Sequence, residues 1–99
     1  MISYMADNQK RVVPDKMDLV ESWEDDGCYG AIDTCLYRTR KTHEWYEVSE
    51  SSWNGEGSVS SASHLTPREV VEALTHRQWD DDQIRTYPEL IAALDAIEA

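Results

Sequence analysis

The sequence predicts an α+β fold: an antiparallel β-meander of three to four strands, followed by two C-terminal helices packed on one sheet face. Three observations carry that expectation. Runs of β-formers, broken by turn residues, occupy the first two thirds of the chain. The last third carries a capping box and apolar residues at helical spacing. A 99-residue chain that is 40% hydrophobic, with four Trp and five Tyr, has enough apolar matter for one core and no more.

Residues 1–13 show little apolar periodicity and read as a mobile N-terminal arm or a short edge segment. Pro14 separates them from a single domain over 14–99. In KMDLVESWED, Met17, Leu19 and Trp23 fall on one parity, with Asp18, Ser22 and Glu24 on the other. That alternation favours a half-buried strand over a helix capped by Asp15, although Val20 and Glu21 do not fit it. DDGCYG is turn chemistry, since Gly27 and Gly30 reach positive φ without steric cost. AIDTCLYRTR places Ile32, Thr34 and Leu36 on one face. After the polar tip Arg40–His43, EWYEVSES puts Tyr46 and Val48 together, and the two runs read as a hairpin. The Ser/Gly-rich stretch that follows holds the turn signal Asn54-Gly55. It has room for a short edge strand around Val59, or forms a mobile loop.

Thr66-Pro67-Arg68-Glu69 is a capping box with Pro at the first helical position. Leu65 and Val70 are placed for the accompanying staple. Val70, Val71 and Leu74 line the inner face, with Glu69, Glu72 and His76 turned away. A second helix begins near Pro88 and is expected to bury Leu90, Ile91, Leu94 and Ile97. The link RQWDDDQIR has room for one helical turn, with Asp80, Asp81 and Asp82 at its N-terminus opposite the positive end of the helix dipole.

Charge is the strongest functional signal. Twenty acidic residues face nine basic ones, a formal net charge of −11. Seven carboxylates and one lysine lie between Asp15 and Asp33, and Glu44, Glu47, Glu50 and Glu56 add four more with no basic residue among them. Arg38, Arg40 and Lys41 form a small positive island at the hairpin tip. Such a surface repels nucleic acid and anionic lipid and suits a cationic protein partner. The expectation is a non-enzymatic binding protein that occludes the basic, nucleic-acid-binding surface of another protein. The residues expected to do so are Glu24, Asp25, Asp26, Glu44, Glu47, Glu50, Asp80, Asp81 and Asp82, with Trp45 or Trp53 as an exposed hydrophobic anchor. In size and charge, though in no motif, the chain resembles small phage-encoded antirestriction and anti-CRISPR proteins as a class. The resemblance implies an anti-defence inhibitor.

Two other readings compete. The chain is compatible with an ordinary accessory domain that self-associates, as a homodimer for instance, through a sheet edge or an aromatic patch. It is also compatible with a small metal-independent hydrolase or nuclease using His43 and His64, with Arg40 or Lys41 on phosphate. The charge opposes that use of a polyanionic substrate. Cys28 and Cys35 fit reduced thiols, a short-loop disulfide, or a zinc site completed by His43 and His64, whose spacing is unusual for zinc. Neither cofactor nor metal is expected. With no apolar run near the ~20 residues of a membrane span, and no signal-peptide core after Met1, the chain reads as soluble and cytoplasmic.

Overall fold

The computed structural model describes the backbone of residues 3–27, 30–52 and 58–97, and the side chains of these residues outside 26–30 and 52–59. The architecture is α+β. Six strands, β1 (Tyr4–Met5), β2 (Arg11–Val12), β3 (Met17–Gly27), β4 (Gly30–Thr39), β5 (Trp45–Ser52) and β6 (Ser58–Leu65), precede three helices. These are α1 (Pro67–His76), α2 (Asp81–Ile84) and α3 (Pro88–Ile97). The chain divides into two compact units, Met1–His64 and Leu65–Ala99, and each is described by itself.

In the first unit, β3, β4, β5 and β6 form a four-stranded sheet in sequence order, the meander that the turn signals predict. The expected edge strand around Val59 is present and is eight residues long. The turn expected at Asn54-Gly55 lies outside the described residues. Gly27 pairs with Gly30 in the β3–β4 register, while residues 28 and 29 of the expected turn lie outside the described residues.

One irregularity reorganises β3. Its register shifts between Leu19 and Glu21, so Leu19 faces Tyr37 while Glu21 faces Leu36. An extra residue in one strand reverses the side-chain alternation beyond it. Met17 and Leu19 therefore share a face with Tyr37, whereas Trp23 shares the opposite face with Thr34. The single parity expected for Met17, Leu19 and Trp23 does not hold, and Leu19 is 56% exposed.

The N-terminal segment is structured. β1 and β2 pair as a hairpin, with Tyr4 opposite Val12. Gln9 takes the left-handed conformation (φ 65°) in the turn, and the Gln9 N–H donates to the Ala6 carbonyl at 3.0 Å. Of the two expectations for this stretch, a mobile arm or a short edge segment, the described residues form short strands. Val12 is 0% exposed and packs with Ala6, Tyr46, Val48 and Ala62, flanked by Tyr4, Met17 and Tyr37. A parallel bridge between Ala6 and Ala62 fastens the hairpin to β6. The Asp7 carboxylate reinforces it by accepting from the His64 N–H at 2.8 Å.

The sheet buries residues on both faces. Tyr46 and Val48 belong to the cluster just described, as their shared parity predicts. Thr34 and Leu36 are buried on the other side, where the Thr34 and Ser49 hydroxyls meet at 3.2 Å. Ile32, on that same parity, is exposed.

In the second unit, α3 packs against α1 and α2. The Thr66 and Glu69 capping box forms as predicted. Asp80 caps α2 in a second box with Gln83, which gives the aspartate run the N-terminal role expected of it. Val70, Val71 and Leu74 are buried in α1, and Leu90 and Leu94 in α3. Ile91 is only partly buried and Ile97 is 39% exposed, so the inner stripe of α3 is narrower than its sequence suggests. The α1 C-terminus closes in a Schellman arrangement. Gln78 is left-handed (φ 70°), the Gln78 N–H donates to the Thr75 carbonyl and the Trp79 N–H to the Leu74 carbonyl. Trp79 lies 6.3 Å from Tyr87, and Arg85 pairs with Asp95 at 2.7 Å.

Candidate functional site

The β-register assembles a row of carboxylates that no single stretch of sequence displays. Glu24 on β3 pairs with Asp33 on β4, and Asp33 pairs with Glu50 on β5. Residues directly opposite in an antiparallel sheet share a face with Cβ atoms about 4.5–5.5 Å apart. Three acids on adjacent strands thus form one transverse line, and all three are exposed. Among the described residues Glu24 and Asp33 have no ion-pair partner. Glu50 accepts a hydrogen bond from the Tyr4 hydroxyl of the N-terminal hairpin. That bond, more than burial, raises the Tyr4 pKa to about 12.

Asp33 was not singled out as a binding residue by sequence reasoning, although a signal for it exists. Counting three residues outward from Gly27 and from Gly30 reaches Glu24 and Asp33.

The other expected binding residues scatter. Asp25, opposite Ile32, and Glu47, opposite Leu36, lie on the reverse face of the sheet. Glu47 is half-buried. The side chain of Asp26 and the whole of Trp53 lie outside the described residues. Asp80, Asp81 and Asp82 are exposed on the second unit. Trp45 requires a correction. It is 1% exposed, so it presents no anchor to a partner. Its cross-strand neighbour is Arg38, whose guanidinium carbon lies 6.0 Å from the indole centroid.

Glu44 is also committed internally. The Tyr46 hydroxyl donates to Glu44 Oε2 at 2.8 Å, Lys10 Nζ donates to Oε1 at 3.0 Å, and Asn8 Nδ2 donates to the Tyr46 hydroxyl at 3.0 Å. The Tyr46 bond first, then Lys10, holds the Glu44 carboxyl below the ordinary carboxylate range. Burial is the largest cause raising the Tyr46 hydroxyl. His64 leans on this cluster, its ring 5.2 Å from that of Tyr46. His43 is exposed in the β4–β5 turn with φ 54°.

Cys35 is a free, half-buried cysteine among the described residues, and Cys28, its partner in the disulfide reading, lies outside them. Among the described residues no group of three His, Cys, Asp or Glu stands close enough to hold a metal ion. Nor is any described helix long and apolar enough to cross a membrane. Compared with protein-family models, with curated proteins and with solved structures, the chain matches none.

Proposed function

We propose that this chain is a non-enzymatic binding protein that occludes a basic, nucleic-acid-binding surface on a partner protein, in the manner of an anti-defence inhibitor. The observation that supports this reading is the Glu24–Asp33–Glu50 row. Like charges placed directly opposite on neighbouring strands destabilise a sheet. Here the central carboxylate has one on either side, and the described residues supply no cation to compensate Glu24 or Asp33. A cationic groove would relieve that repulsion on binding. It would also find a line of negative charge in place of the phosphates it normally holds, so complex formation would weaken steeply with added salt.

The decisive variant is Asp33→Lys. It converts the row to alternating signs, which should raise the chain's own stability by about 0.5 kcal/mol while removing the partner contact. The expected result is a higher urea midpoint together with loss of partner capture from host lysate at low salt. Full capture and full cellular effect by this stabilised variant would refute the reading. Self-association through the β3 edge, which pairs on one side only, is the competing use of the same strand. Sedimentation that reports salt-independent dimers would favour it.

A further inference from the structure

The end of the sheet remote from the acid row has the opposite character. A cleft of about 410 Å³ is lined by Arg11, Val13, Lys16, Met17, Thr39, Arg40, Lys41 and Thr42. Four of the chain's nine basic residues therefore surround one cavity, in a molecule of net charge −11. Two stretches distant in sequence bring them together: residues 11–17, which run from β2 through the 3-10 turn Pro14–Lys16 into β3, and residues 39–42 at the β4–β5 turn.

In a chain with twenty carboxylates, cations gathered by chance should find acidic partners. Arg40 does, with Nε 3.0 Å from Asp18 Oδ1, and its Nη2 donates to the Met17 carbonyl at 3.3 Å. Arg11 uses one nitrogen on the Ser3 hydroxyl. Among the described residues Lys16 and Lys41 have no carboxylate partner, and both are exposed. Of the acids nearest in sequence, two are engaged and the third is not among the lining residues. Asp18 is held by Arg40, Glu44 by Lys10 and Tyr46, and Asp15 does not line the cleft.

Hydroxyls complete the rim. Thr39 Oγ1 accepts from the Glu44 N–H at 2.8 Å and shares a 2.7 Å hydrogen bond with Thr42 Oγ1, which fixes both side chains. The carboxylate row lies about seven residues away along β3, roughly 20 Å at a strand's rise per residue. That exceeds the ~8 Å screening length at physiological salt, so the row does not cancel the local positive field.

We propose that this cleft binds the dianion of phosphate or of a small phosphomonoester. Lys16, Lys41 and Arg11 supply the charge and free N–H donors, Thr42 supplies the hydroxyl, and Val13 and Met17 provide an apolar wall for an attached organic group. The site is independent of the acidic surface and does not rest on the partner reading.

The test is a titration of the full chain, followed by backbone amide NMR in phosphate-free buffer at pH 8, with inorganic phosphate in one arm and phenyl phosphate in the other. Saturable shifts confined to residues 11–17 and 39–42 are expected. They should weaken at least tenfold in the Lys16→Gln/Lys41→Gln double variant, whose thermal midpoint should match the parent because both side chains are exposed. Equal affinity in the two arms assigns the site to the bare ion, and tighter phenyl phosphate assigns it to an organic phosphomonoester. Non-saturable shifts, shifts reproduced by chloride at matched ionic strength, or affinity unchanged in the double variant would overturn the proposal.

Discussion

Glu44 shows what a single side chain decides. In the sequence it is one acid in a run of four that also includes Glu47, Glu50 and Glu56; in the fold it is the acceptor for Tyr46 and Lys10. Its pKa is depressed below the ordinary 4.5, so its contribution to stability is complete above that value. The contribution is lost as pH falls through the lower folded value. Glu44→Gln should therefore destabilise the chain by about 1 kcal/mol at neutral pH, by weakening the charged acceptor of the Tyr46 hydroxyl. Urea midpoints of parent and variant should converge in acid below the depressed pKa, and a constant gap would show that ionisation of Glu44 is irrelevant. Composition marks the sign of this charge but not its partner, because the partner arrives from a hairpin 34 residues earlier in the chain.

At the scale of elements, legibility follows how local the determining contacts are. The Thr66 capping box, the N-terminal placement of the aspartate run, the α1 stripe and the Tyr46/Val48 face could be read because each depends on residues a few positions apart. The N-terminal hairpin could not, since its strands are two residues long and its stability comes from the Val12 cluster and the Ala6–Ala62 bridge. The β3 register shift was equally opaque: nothing in LVES declares that one residue is extra. The Schellman ending of α1 escaped notice because Gln78 stands where glycine is usual. A left-handed glutamine carries a conformational cost that glycine avoids. Gln78→Gly should accordingly raise thermal stability by about 0.5–1 kcal/mol, and a loss on calorimetry would mean that the glutamine side chain contributes more than its backbone costs.

For the whole molecule, charge is excessive in total and uneven in placement. The first unit alone carries an acid row near one end of its strands and a basic cleft near the other. Net repulsion of −11 opposes compactness, so the chain's intrinsic stability should increase between 0.01 and 1 M of a weakly interacting salt, as the screening length contracts from ~30 to ~3 Å. Thermal midpoints across that range check it; a flat response would mean that the carboxylates are compensated locally. The direction is opposite to that expected for partner capture, so the two effects are separable in one salt series. The one-sided pairing of β3 has a further consequence. A strand with an unpaired edge is a template for stacking of chains into fibres. This one is interrupted by a bulge and carries Asp18, Glu21, Glu24 and Asp25, so incoming strands meet both a twist mismatch and electrostatic rejection. The acids that would court a cationic protein also keep the molecule from polymerising with itself.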